Sequence, residues 1–209
     1  MSERLGSDYL LGSSDAEHER LIRQATLFEP FTERFFRKAG IGSGQRVLDL
    51  GSGVGDVAML MGKLVGPSGG VVGIERDERS LAVAATRAKQ AGHHNISFIQ
   101  SDINGISLNK SFDAVVGRFI LQFVPDPVAG LPAPKMYMDT PLGTDPDFTD
   151  WVYDLIRTLL PRIREFDHSI EPLGDLDTLR ERLHQEIAST NAVVPVLPLV
   201  GAWSRLSAS

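Results

Sequence analysis

Four short apolar runs rich in β-branched residues, Val47 to Leu50, Val71 to Ile74, Ile96 to Ile99 and Phe112 to Val116, set the terms for this chain. Between the first two lies Val57 to Leu64, and between the next two Ser80 to Ala91, both with helical spacing and no internal proline. Strand, helix, strand, helix, strand is the pattern of a parallel sheet with crossover helices, because parallel neighbours cannot be joined by a tight turn. The first run leads into VLDLGSGVGD, in which Gly51, Gly53 and Gly55 lie between Asp49 and Asp56. Open sheets of this class bind ligands at the carboxyl ends of their strands, so a glycine loop there is a candidate cofactor site.

The 209 residues fit one domain with a substantial core and a small appendage. With 21 Lys and Arg against 27 Asp and Glu, a formal net charge of -6 and no basic stripe, nucleic acid is not expected as a partner. Cysteine is absent, which excludes disulfides and thiolate metal sites. The start MSERLGSDYL has no apolar signal core, and no run approaches the length of a membrane span. A soluble cytoplasmic protein with no membrane partner is expected.

Ser14 or Asp15 can cap a helix whose apolar residues lead to Pro30, and a second helix is expected from Phe31 to Ala39. Beyond Phe123, prolines at 125, 127, 132, 134 and 141 break any regular pattern. Trp151 to Leu160 then reads as a helix up to Pro161, and Leu176 to Ile187 as another after a cap at Asp175. Val193 to Trp203 alternates like a strand that Pro195 and Pro198 confine to an edge.

The dinucleotide fingerprint asks for a small residue where this chain has Asp56, and that acid, with Asp49 before the loop, would repel a pyrophosphate. A nicotinamide-dependent oxidoreductase is therefore disfavoured. A positively charged ligand without phosphate suits the loop better, and S-adenosylmethionine, with its sulfonium and ammonium, is such a ligand. VLDLGSGVGD resembles motif I of the class I S-adenosylmethionine-dependent methyltransferases, and later landmarks continue the match. The resemblance implies cofactor contacts from Asp49, Gly51, Ser52 and Gly53 in the loop. It implies that Glu75, followed by Arg76 at the end of the second strand, accepts from the ribose hydroxyls. Asp102 and Ile103, after the third, would take the adenine amino group and ring face. Gly117-Arg118, after the fourth, resembles the segment beneath the methionine part of the cofactor. The N-terminal stretch around Tyr9 and the helices after it resemble the lid of small-molecule members.

The expected fold is α/β: a Rossmann-like methyltransferase three-layer sandwich, mostly parallel, with an antiparallel C-terminal edge hairpin. The expected divisions are residues 1–44 as lid helices, 45–130 as the cofactor-binding core, and 131–209 as a strand, two helices and a closing edge strand. The chain departs from the family pattern after Val128. Pro132 to Met138 already reads as the first hairpin strand, so the sheet is shortened after its fourth strand and a fifth strand has no room. A homodimer that covers the shortened sheet is one way to protect its edge.

The implied activity is methyl transfer to a small-molecule acceptor, with a methyltransferase-fold binding or partner protein lacking turnover as the alternative. Catalytic residues stay open: His168, His184, Glu165 and Tyr137 are the available bases, and none falls in a recognisable constellation. His93-His94 lies in a loop without acids at ligand spacing, so no metal site is expected.

Overall fold

The structure is a computed structural model that describes residues 14–103, 111–120, 135–139, 142–143, 146–165, 169–195 and 199–203. The expectations placed on Tyr9, on the prolines from 125 to 134 and on His168 lie outside those residues. The chain divides into two compact units, one formed by Phe28–Pro141 with Leu197–Ser209 and the other by Met1–Leu27 with Leu142–Val196.

The first unit is built on β1 (Arg46–Leu50), β2 (Gly70–Glu75), β3 (Ile96–Gln100) and β4 (Ala114–Val116). They form one parallel sheet in the order β3-β2-β1-β4. The order follows from the crossovers: α2 (Asp56–Val65) carries the chain from β1 to β2, and α3 (Glu78–Gln90) from β2 to β3. β1 and β2 are the interior strands, and their residues Val47, Leu48, Val71 and Ile74 are buried as a doubly covered sheet requires. α2 lays Val57, Ala58, Leu60, Met61, Leu64 and Val65 into that core, joined by Phe36 and Ile41. Asp77 starts α3 by accepting from the Ser80 amide at 2.7 Å.

β4 pairs with β1 through Val47↔Ala114, Leu48↔Val115 and Asp49↔Val116, and it is the last strand of the parallel sheet among the described residues. β5 (Lys135–Asp139) and β8 (Leu199–Trp203) form an antiparallel pair of their own. Phe35 packs edge-on against Trp203 at 5.6 Å. The mostly parallel α/β fold with an antiparallel C-terminal pair is therefore what the sequence predicts, and the shortening expected after the fourth strand falls on residues outside those described.

The second unit holds the start of α1 (Asp15–Ala39), α4 (Pro146–Glu165), α5 (Leu179–Thr190) and the short pair β6 (Leu142–Gly143) with β7 (Val194–Pro195). The Trp151 indole donates to Gln24 Oε1 at 3.1 Å, and Arg23 pairs with Asp154 at 2.7 Å. Arg20 holds the buried Glu17 carboxylate at 2.6 and 2.7 Å and donates to Gln24 at 2.8 Å.

Four boundaries differ from the sequence expectation. α1 runs through Pro30 as one helix instead of two. Phe28, Thr32 and Phe36 form a buried stripe at four-residue spacing, and only a continuous helix keeps it on one face despite the lost hydrogen bond. α4 likewise continues past Pro161 to Glu165, because Ile163 extends the apolar stripe of Ile156 and Leu159. α5 begins at Leu179, later than its apolar spacing suggests. Asp175 accepts from the Asp177 amide, and Arg182 donates to the Asp175 carbonyl, so this segment is wound as a turn. Val193 to Trp203 is not one strand: β7 and β8 belong to different pairs.

Candidate functional site

The glycine loop lies between β1 and α2, where the parallel sheet presents its strand ends. Gly51, at φ 66°, adopts a conformation that favours glycine, and a Cβ there would stand 2.5 Å from Ile120 Cδ1. Gly53, at φ 51°, differs: no described atom lies within 4 Å of where its Cβ would be. The loop is tight on its Ile120 side and open above Gly53.

Asp49 ends the buried run of β1 and is 1 % exposed. Among the described residues neither of its carboxylate oxygens has a close hydrogen-bond partner, and the same holds for the buried Ser52 hydroxyl. Burial pushes the Asp49 carboxyl up to about 8, opposed by Arg118 and weakly by the Ala58 amide at the start of α2, and helped by Asp56 and Glu75. An acid with no partner in such a place is costly unless a ligand supplies one.

Glu75, at the end of β2, reaches across the strand ends to the loop. Its Oε2 accepts from the Gly53 amide at 2.9 Å, and its Oε1 accepts from the Arg76 and Asp77 amides at 2.8 and 3.0 Å. Three backbone donors fix this carboxylate at the rim of the open space. Arg76 is exposed, and its carbonyl accepts from the Gln100 side chain at 3.2 Å. Asp102 is exposed just beyond β3, Ile103 beside it is half-buried, and the Ser101 hydroxyl donates to the Asp102 carbonyl at 3.2 Å. The structure thus joins Gly53 and Glu75 by a hydrogen bond and seats Asp49 and Ser52 beneath them.

Asp56 does not act as the sequence suggests. It opens α2 and meets Arg87 of α3 at 2.7 Å, with both side chains largely covered. The same guanidinium donates to the Val54 carbonyl. Asp56 is therefore paired and ties the loop to α3. Arg87→Ala would leave a partly buried carboxylate and a carbonyl unpaired. A loss of about 1–3 kcal/mol in unfolding free energy is expected, read from denaturant midpoints at unchanged m-value.

Two further residues belong to the neighbourhood and were not legible beforehand. Phe119 is a non-glycine residue at φ 59°, packed edge-on against Phe28 at 6.0 Å. Ile120 presses on Gly51. A strained residue beside a candidate site is a signal that only coordinates give.

A family model described as a methyltransferase domain matches residues 41–136, the span that carries the loop, Glu75 and Arg118. Residues 41–136 are thus similar to a methyltransferase domain. Over 115 residues the chain is 30% identical to "Probable cobalt-precorrin-6B C(15)-methyltransferase (decarboxylating)" of Thermoplasma volcanium, covering 54% of this chain and 57% of that protein. It is 30% identical over 115 residues to a demethylmenaquinone methyltransferase of Lactococcus lactis subsp. lactis, covering 54% and 46%. It is 33% identical over 125 residues to a 2-phytyl-1,4-naphtoquinone methyltransferase of Synechococcus elongatus, covering 59% and 51%. The chain spans about half the length of these relatives.

S-adenosylmethionine is the cofactor of this family. The residues of this chain fit it, on the orphaned Asp49 carboxylate, the unbonded Ser52 hydroxyl and the open floor over Gly53. Among the bases considered, His184 Nε2 lies 2.6 Å from Asp150 Oδ1 in the helical unit. Arg180 shares that carboxylate and, as the larger cause, holds it below the usual range. Glu165 is exposed at the end of α4, and Tyr137 lies on β5. No group of three or more His, Cys, Asp or Glu that could hold a metal ion occurs among the described residues. No described helix is long and apolar enough to cross a membrane.

Proposed function

We propose that this chain transfers a methyl group from S-adenosylmethionine to a small-molecule acceptor. The observation that carries the reading is the buried, unpartnered Asp49 carboxylate under an open glycine floor whose rim is held by Glu75. In this reading residues 45–130 form the cofactor half. Asp49 faces the ammonium of the cofactor, and Gly51, Ser52 and Gly53 let its chain lie against the backbone. Glu75 takes the ribose hydroxyls on lone pairs not spent on its three amide donors, and Arg76 orients it through the amide it lends. Asp102 and Ile103 take the adenine, and Arg118 lies at the methionine side.

The bound cofactor supplies a methyl group on an electron-poor sulfonium, which leaves transfer as an in-line displacement. The protein then has to hold the donor still, align the acceptor and keep water out, so few side chains are obligatory. The acceptor is proposed to be a small organic molecule, in line with relatives that are named for naphthoquinone and corrinoid precursors. The chain has no basic stripe for nucleic acid. We place it in the cytoplasm.

The test is transfer of labelled methyl groups from S-adenosylmethionine to a fractionated metabolite extract. Label in a small-molecule fraction, lost on Asp49→Asn, supports the reading. Cofactor binding with no transfer to any fraction would favour a binding protein of methyltransferase fold.

A further inference from the structure

A groove of about 560 Å³ opens in the helical unit, between the last turns of α4 and residues 170–177. α4 contributes Arg157, Leu160, Pro161 and Arg164, which share one face at the three- and four-residue spacing of a helix. Ile170 and Leu176, both half-buried, line the same groove from the other wall. A volume of this order suits a small organic molecule.

The second wall is held in shape by its own hydrogen bonds. The Leu173 and Gly174 amides donate to the Ile170 and Glu171 carbonyls at 2.9 Å each, and the Asp177 amide donates to Asp175 Oδ1 at 2.9 Å. Arg182 of α5 donates to the Leu173 and Asp175 carbonyls. A wall tied at this many points is preorganised, so a ligand does not have to order it on arrival.

The charges of the lining are unevenly engaged. Arg157 meets Asp177 across the groove at 3.6 Å and stands 6.0 Å from the Tyr153 ring, and the Asp175 carboxylate accepts from the Asp177 amide. Arg164 lies two turns further along α4, roughly 10 Å away. It is exposed and makes no hydrogen bond or ion pair among the described residues. An exposed arginine alone selects nothing. Beside an apolar lining whose acids are already engaged, it offers a planar fork to a carboxylate whose hydrocarbon part lies on Leu160, Pro161, Ile170 and Leu176. One unengaged guanidinium matches a single negative charge.

We propose that this groove binds a small organic carboxylate with a flat apolar body, its carboxylate on Arg164. The site is independent of the cofactor reading, since no residue from 49 to 56 is among the described residues that line it.

The probes are 2-naphthoate and its neutral isostere 2-naphthamide. Each is titrated calorimetrically into the unchanged chain, Arg164→Met and Leu176→Ser, with and without excess S-adenosylhomocysteine. The unchanged chain should bind 2-naphthoate at one site, at least about tenfold tighter than 2-naphthamide, whether or not S-adenosylhomocysteine is present. Arg164→Met keeps the stem of an exposed side chain, so its melting should not move. It should remove the preference by weakening the carboxylate alone, with the amide unchanged to within about twofold. Leu176→Ser should weaken both probes about fivefold. Equal binding of the two probes, a preference that survives Arg164→Met, or no binding of either up to about 1 mM overturns the inference. So does competition between 2-naphthoate and S-adenosylhomocysteine, which would put the acid in the cofactor cavity and leave the cofactor reading standing. A chain that binds 2-naphthoate as described and does not bind S-adenosylhomocysteine supports the groove and defeats only the cofactor reading.

Discussion

Asp49→Asn should make the chain more stable at and above neutral pH and, in the same preparation, bind S-adenosylhomocysteine at least about tenfold more weakly. The two effects have one cause. The carboxyl is fully buried, has no close hydrogen-bond partner among the described residues and is pushed from an ordinary 3.8 up to about 8. Between those values the folded chain holds a proton that the unfolded chain has released, so unfolding free energy falls as pH rises from about 4 to about 8. Below that window both states are protonated, and above it both are ionised. Asparagine cannot ionise, so the variant should lack this slope and gain on the order of 2 kcal/mol near pH 8. The same substitution removes the charge that compensates the ligand ammonium. Thermal melts across pH 4 to 9, paired with titrations, give both readouts. A variant that is less stable than the parent at pH 8, or that binds equally well, would show that Asp49 is an ordinary core residue.

The second large effect concerns space. Gly53→Leu should fold with a small penalty and lose S-adenosylhomocysteine binding by about a hundredfold or more. Its φ of 51° costs a side chain about 1–2 kcal/mol, while no described atom stands within 4 Å of the added Cβ. The side chain would fill the volume assigned to the ligand. Gly51→Leu makes the control, since its Cβ would meet Ile120 at 2.5 Å and the fault is in the fold itself. Near-normal melting with lost binding is expected for Gly53→Leu, and lowered melting for Gly51→Leu. If Gly53→Leu binds normally, the open floor is not the cofactor site.

How much of this was legible in the sequence depends on the range of the interaction. The four strands and two crossover helices rest on local periodicity, which is why Val47, Val71 and Met61 are in the core where their pattern puts them. Glu75 is legible because a strand end is a local landmark, and the sheet brings it to Gly53, 22 residues away. Asp56 was misread because its partner, Arg87, lies 31 residues on and no spacing rule links a loop acid to the last turns of the next helix. Pro30 and Pro161 read as helix ends from backbone chemistry alone, whereas buried stripes on either side hold each helix together. The left-handed Phe119 depends on three-dimensional packing and leaves no trace in composition or period.

The most direct test of the central claim is calorimetric titration of the unchanged chain with S-adenosylhomocysteine, repeated in buffers of different ionisation enthalpy from pH 6.5 to 9. The account predicts one site per chain and affinity that rises with pH towards about 8, where the Asp49 carboxyl titrates. It also predicts release of close to one proton per ligand at the acidic end, fading at the alkaline end as the carboxyl is already ionised. No binding at any pH, or binding with no proton release in a chain that still carries Asp49, would contradict it.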